Sequence, residues 1–414
     1  MLDPIVSFFT MVFQWIGRAI GLLIGILMWP FLWFGRWYIQ KGWILKAVLG
    51  AAIAVLAAMY IYFLYATQFW NGFDPDYVAK YDFEQRRRSA GEQAMGAPPP
   101  APRTLFAQAE ADSKPAAPAT APAATTPATT PTPTPQQPAT TATGRSCGRS
   151  AIAEVAADLT DVNVNQNAWI SSMILYKVGL FGLSWDKTPF LDNKASFQRG
   201  VHEAIRRTTI ELADNLGRVR GTSQIDSNLQ SARGNAQFDE YTWYVGLNPP
   251  GPKTPTPSYY RQIVRDLHAF DDRLARCEAV FDARADNLMQ YLDRITSALG
   301  DTSAILRERS ENYNRGFFDT RADDRFWFSY GQLYAYYGLM SAAHADFEDV
   351  IRERNLDALW NAMEGQFRSA LKIRPWIIAN SAEDGLFATH LATMGFYVLR
   401  VRSNMTEIQG VLQR

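Results

Sequence analysis

The hydrophobic pattern divides the chain into three regions of different character. From Ala47 to Phe73 no residue is charged, a run of 27 that covers a hydrocarbon core needing about 20 residues. Residues 44–66 are therefore expected to span a membrane, with Trp43 and Trp70 at its two interfaces. Beyond residue 147 the apolar residues recur instead at three- and four-residue spacing, which predicts amphipathic helices. The longest such stretch is Ser258–Leu299, 42 residues without Gly or Pro. Tyr260, Ile263, Leu267, Phe270, Leu274, Cys277, Phe281, Leu288, Tyr291 and Ile295 form its apolar seam. One helix of about 60 Å is predicted there, capped by Ser258 and ended by Gly300.

Further helix patterns run through Phe197–Val219, Phe326–Ile351, Leu356–Phe367 and Leu391–Leu412. No run of alternating strand residues competes with them. The expected fold is all-α: a membrane-anchored, long-helix bundle with coiled-coil-like seams.

Ahead of the span, Pro4–Phe34 carries one charge, Arg18, and Gly17, Gly21 and Gly25 form a GxxxGxxxG series. Residues 5–28 read as a second membrane helix packed on the first through these small residues, or as a helix lying in the interface. The former is preferred, with an interfacial turn at Pro30 among Trp29, Phe31, Trp33, Phe34, Trp37 and Tyr38. Arg36, Lys41 and Lys46 precede the span, and Asp74 and Asp76 follow it. The positive-inside rule then places the rest of the chain across the inner membrane, in the periplasm.

Of the 22 prolines, 12 fall between Ala97 and Pro138, and the stretch from Lys114 to Thr143 is made almost only of Pro, Ala, Thr and Gln. Such a composition buries too little apolar area to offset chain ordering, so residues 74–146 are expected to be a disordered linker. The domain plan is an anchor at 1–73, that linker, and a helical domain at 147–414.

The net charge of zero excludes a global basic field for nucleic acid. Membrane lipid and a protein partner, or a second copy of the chain, are the expected partners. Four histidines, His202, His268, His344 and His390, have no metal-ligand spacing, and the sequence contains no HExxH, GxSxG, Walker A or dinucleotide-binding glycine series. No catalytic residue, metal or cofactor is assigned.

Three groups of residues remain as candidates. Phe281-Asp-Ala-Arg-Ala-Asp-Asn287 is echoed 37 residues later by Phe318-Asp-Thr-Arg-Ala-Asp-Asp324. Asp282, Arg284, Asp286, Asp319, Arg321 and Asp323 are expected to form a structural ion network, with Arg284 and Asp323 on buried seam positions and paired across the bundle. The spaced carboxylates admit a rival hydrolase reading. Seven of the twelve residues from Phe326 to Tyr337 are aromatic. Trp327, Tyr330, Tyr334, Tyr336 and Tyr337 could bind a glycan or lipid, against a core role in which their hydroxyls are hydrogen-bonded. Cys147 and Cys277 would lie where disulfides persist; a bond between them and a buried thiol at Cys277 are both open.

The stretches Arg220–Gln224 (RGTSQ), Phe281–Asn287 (FDARADN), Gly331–Gly338 (GQLYAYYG) and Thr389–Asn404 (THLATMGFYVLRVRSN) resemble a family of bacterial inner-membrane proteins known as domain of unknown function 2333. The resemblance spans most of residues 150–414 and implies no activity, substrate or site residue. A non-enzymatic, membrane-tethered periplasmic scaffold or interaction protein of the cell envelope is the expected function.

Overall fold

The computed structural model describes residues 3–83, 90–93, 146–179, 182, 184–185, 188, 190–218, 224–247, 249–316, 319–382, 384–385 and 387–414. The Pro/Ala/Thr-rich segment 94–145, most of Arg220–Gln224 and Phe318 lie outside them. The protein is mostly helical and divides into two compact units, Met1–Ala66 and Thr67–Arg414.

The first unit holds α1 (Asp3–Ile39) and most of α2 (Trp43–Gln68). Both are long and apolar enough to cross a membrane. The turn expected at Pro30 is absent: α1 runs through it as one 37-residue helix. At Gly17, Gly21 and Gly25 an added Cβ would meet nothing within 4 Å, so the GxxxG face is not packed on α2 as expected. Instead the Tyr38 hydroxyl donates to the Lys46 carbonyl at 2.8 Å, across the short turn between the helices.

The second unit is built around α9 (Ala322–Asp346), in which every residue from Ser329 onward is buried. A narrow seam would leave one face wet; from Ser329 onward α9 is instead covered on all sides. Its neighbours are α3 (Ala151–Asp161), α5 (Asn193–Glu211), α8 (Ala285–Asn312), α11 (Asp357–Leu371) and α12 (His390–Leu412). The closest crossing is with α5. A Cβ on Gly200 would sit 2.0 Å from the Phe328 carbonyl oxygen, and one on Gly331 would sit 2.2 Å from that of Phe197. Two glycines, one on each helix, let the backbones touch. The short helices α4 (Ile174–Val178) and α10 (Glu348–Glu353), with α6 (Ser227–Ala236) and α7 (Thr256–Ala275), complete the set. α6 and α3 pack on α7, and α12 packs on α8 and α11.

The predicted 42-residue helix is two helices. α7 stops at Ala275, and α8 starts at Ala285 and continues through Gly300 to Asn312. The break is a Schellman motif: Cys277 N donates to Leu274 O at 3.0 Å and Glu278 N to Arg273 O at 2.8 Å, with Cys277 at φ +60°. Glycine usually fills that left-handed position, so a cysteine there carries no signal of a helix end. Ser258 is not the cap either; the helix begins at Thr256, whose hydroxyl donates to the Asp239 carbonyl at 2.7 Å.

Three two-residue or three-residue strand pairs tie loops together: β1 (Gly91–Gln93) with β2 (Ser146–Gly148), β3 (Val245–Leu247) with β4 (Pro250–Pro252), and β5 (Arg315–Gly316) with β6 (Asn380–Ser381). The first changes the domain plan. Residues 67–83 already pack on the helical domain: Tyr77, Val78 and Phe83 belong to its core. The chain therefore enters the domain directly from α2, and segment 94–145 departs from and returns to one antiparallel ladder. The expected linker 74–146 is thus folded onto the domain at 74–83 and 91–93, while residues 94–145 lie outside those described.

Candidate functional site

The aromatic group on α9 is spread round the helix and largely consumed. Tyr334 carries Tyr77 on its ring at 4.5 Å and 24°, and Phe73 at 5.4 Å and 22°. Its hydroxyl donates to the Asp74 carbonyl at 3.1 Å. Tyr330 donates to the Leu371 carbonyl at 2.8 Å, and Trp327 meets Trp70 edge-on at 5.1 Å. Tyr336 is fully buried, and Tyr337 lies 6.2 Å from Phe367 on another side. The rings of Trp327, Tyr330 and Tyr334 are thus met by the chain's own Trp70, Phe73 and Tyr77, while Tyr336 and Tyr337 pack elsewhere in the core. The covering residues Trp70, Phe73, Tyr77 and Tyr81 recur at three- and four-residue spacing, a pattern that sequence reading passed over.

Polar bonds hold this strap in place. Lys194 Nζ donates to the Phe69 carbonyl at 2.6 Å, Gln68 Nε2 to the Phe190 carbonyl at 3.1 Å, and Asn167 Nδ2 to the Asn71 carbonyl at 2.7 Å. Burial lowers the Lys194 ammonium to about 8.

The echoed motif is a helix start used twice. Arg284 stands immediately before α8 and Arg321 immediately before α9, with Asp286 and Asp323 in the first turns, where acidic side chains complement the helix dipole. Arg284 is not buried: its side chain is 52% exposed and pairs locally with Asp282 at 2.9 Å and Asp286 at 3.7 Å. The pairing of Arg284 with Asp323 does not form. Asp319 is fully buried and gripped by Arg309, whose Nε lies 3.0 Å from Oδ2, while Asn380 Nδ2 donates to the same oxygen at 2.9 Å. Asp323 is also buried, and burial with Asp324 nearby raises its carboxyl to about 8. The Asn193 amide, turned so that both its atoms are satisfied, donates to Asp323 Oδ2 at 3.1 Å and accepts from Trp327 Nε1 at 3.2 Å.

Cys147 and Cys277 are joined by a disulfide, with Cα atoms 5.5 Å apart. The alternative of a lone buried thiol at Cys277 does not hold, because the turn after α7 brings that residue beside β2. Among the histidines, buried His202 is lowered to about 4 and hydrogen-bonds the Ala236 carbonyl at 2.9 Å. His390 Nδ1 accepts from Ala379 N at 2.9 Å, and His344 Nε2 lies 3.3 Å from Asp357. Among the described residues no three His, Cys, Asp or Glu side chains are grouped to hold a metal.

One cleft has the chemistry of a ligand site. It encloses about 400 Å³ and is lined by Arg199 of α5, Thr302 and Ile305 of α8, Asp324, Arg325 and Phe328 of α9, and by Tyr176, Tyr241 and Arg321. Arg199 is pre-set: one terminal nitrogen donates to Tyr241 Oη at 2.7 Å and the other to Ser196 Oγ at 3.1 Å. Ser196 in turn donates to Asp324 at 2.7 Å. Three guanidinium groups face one lining carboxylate, a balance suited to an anion. Behind Asp324 lie Asp323 and Asp192; burial, with Asp324 and Asp323 close by, lifts Asp192 to about 10. Arg321 is one of the residues the motif singles out; Arg199 and Tyr241 come from other stretches of sequence, and Arg325 lies just past the motif.

No curated protein and no solved structure matches the chain. Residues 133–316 and 312–414 match a family described as an uncharacterized protein conserved in bacteria, DUF2333. These matches cover more than half of the chain, which therefore belongs to the DUF2333 family.

Proposed function

We propose that the protein is a non-enzymatic interaction protein of the bacterial envelope, anchored in the inner membrane by α1 and α2, whose periplasmic helical domain receives an acidic partner in the arginine cleft. The cleft carries this reading: Arg199, Arg321 and Arg325 converge on one opening, and Arg199 is held in place before any ligand arrives. Organised guanidinium groups favour carboxylate or phosphate at little ordering cost. The charges flanking α2 and the Cys147–Cys277 bond support a location outside the cytoplasm. A protein partner fits the reading best, because the cleft is open and bordered by Phe328 and Ile305.

Two measurements test it. A photo-crosslinking residue at Phe328 in the full chain, in native membranes, should give a discrete adduct that is lost in Arg199→Gln and Arg325→Gln. An adduct indifferent to both variants rejects the cleft as the binding site. A membrane-impermeant thiol reagent should label Ser303→Cys in intact spheroplasts; labelling only after lysis rejects the orientation.

The hydrolase reading keeps one supporting observation, the raised carboxyls of Asp192 and Asp323 beside a cleft. It would work through Asp323, because Asp282 and Asp286 pair with Arg284 and Asp319 with Arg309. Retention of cellular function by Asp323→Asn would exclude it.

A further inference from the structure

The loop between α11 and α12 displays a side chain that water does not favour. Trp376 is 97% exposed, and Ile377 beside it is 45% exposed. The loop is not loose. Ile373 packs on the core before it and Ile378 is buried after it. Ile373 N donates to the Ala370 carbonyl at 3.1 Å, and the Ala379 and His390 backbones are tied together at 3.1 Å. A firmly held turn thus presents an indole outward.

The surroundings are basic. Arg368, Lys372 and Arg374 line an open groove of about 620 Å³ together with Pro75 and a single acid, Asp76. The position is equally informative. The Arg374 guanidinium sits over the Phe73 ring at 4.8 Å. Phe73 is five residues past Gln68, the end of α2, so the chain holds it within about 17 Å of that end.

We infer that the Lys372–Ile377 loop docks on the surface of the bilayer that α2 enters, with Trp376 and Ile377 in the interface and Arg368, Lys372 and Arg374 on anionic lipid phosphates. This rests on α2 being a membrane span. Each part has a physical ground. Indole rings settle at the headgroup level, where an apolar body and a polar N–H are both satisfied. Basic side chains next to it gain from an anionic lipid surface and lose that gain in neutral lipid. A soluble protein partner would explain an exposed Trp, but not the contact of its loop, through Arg374, with the segment that leaves α2.

The two cysteines of the chain are bonded to each other, so Trp376→Cys supplies one reactive thiol for an environment-sensitive NBD label. The full chain is reconstituted in nanodiscs of phosphatidylcholine with or without phosphatidylglycerol. The expected result is a blue-shifted NBD emission, quenched by lipid carrying a doxyl group near its headgroup and protected from iodide, more strongly when phosphatidylglycerol is present. Arg368→Glu with Lys372→Glu should remove the phosphatidylglycerol dependence. A label that is accessible to iodide and insensitive to doxyl lipid, in chains that remain with the nanodiscs, overturns the docking alone. Chains that do not associate with nanodiscs at all overturn the membrane span and the docking together.

Discussion

Tyr77 lies flat on Tyr334 at 4.5 Å and donates its hydroxyl to the Tyr334 carbonyl at 2.9 Å. This contact joins the segment that leaves α2 to the middle of the central helix. It depends on Gly338, one turn further along α9, where a Cβ would sit 2.1 Å from Tyr77 Oη. The strap and the helix that receives it are therefore fitted through one missing side chain.

Tyr77→Ala is expected to destabilise the domain by about 3 kcal/mol, as for other buried aromatic truncations. Gly338→Ala should cost about 1–3 kcal/mol, because Tyr77 must move. If the contact is the cause, Gly338→Ala in a Tyr77→Ala background should cost much less than in the wild type. Urea unfolding of the four proteins measures this coupling.

Stability should fall as pH rises above neutrality. Burial raises Asp346 to about 7 and Asp323 to about 8, both from an ordinary 3.8. The folded state then holds protons that the unfolded state has released. Their stabilising contribution is complete below about pH 4 and is lost as pH rises through the folded values, by up to about 1.4 kcal/mol per pH unit for each group. His202 acts in the opposite sense: lowered to about 4, its contribution is lost as pH falls below 6.5. The carboxyl effect is thus read above about pH 6.5. Asp192, lifted to about 10, adds to the same decline, so Asp323→Asn should lessen it without abolishing it. An unchanged slope in denaturation midpoints between about pH 6.5 and 8, below the range in which Lys194 opposes the trend, would refute the assignment.

Asp319→Ala should unfold or strongly destabilise the protein, by about 3–5 kcal/mol, because it strands Arg309 in a nearly closed site. Asp282→Ala, at the matching place in the echoed motif, leaves a half-exposed Arg284 and should cost less than about 1 kcal/mol. Circular dichroism during chemical denaturation separates the two. Equal effects would contradict the difference in burial.

Reduction of Cys147–Cys277 should lower stability by about 2–5 kcal/mol, since the bond closes a separation of 130 residues. Cys277→Ser should reproduce the effect of reductant and be insensitive to it. Thermal unfolding with and without reductant provides the comparison.

Those paired effects also mark what the sequence could disclose. The helices at Asp357–Leu371 and His390–Leu412 follow spacings visible in the residues alone, because one apolar face is all that each must bury. The break at Cys277 was hidden: apolar spacing continues across it, and a cysteine takes the left-handed place where glycine is usual. Arg284 fell on the wrong side of that break, so its expected burial failed with the helix that carried it. The cleft was illegible for another reason. Arg199 and Arg325 are 126 positions apart and meet only because Gly200 and Gly331 let two helices close on each other.

The ladder of Gly91–Gln93 with Ser146–Gly148 has an evolutionary corollary. Insertions or deletions between its two edges alter neither the path from α2 into the core nor any contact described for the helices. A chain whose two edges are joined by a different number of residues is therefore expected to keep the same helical body.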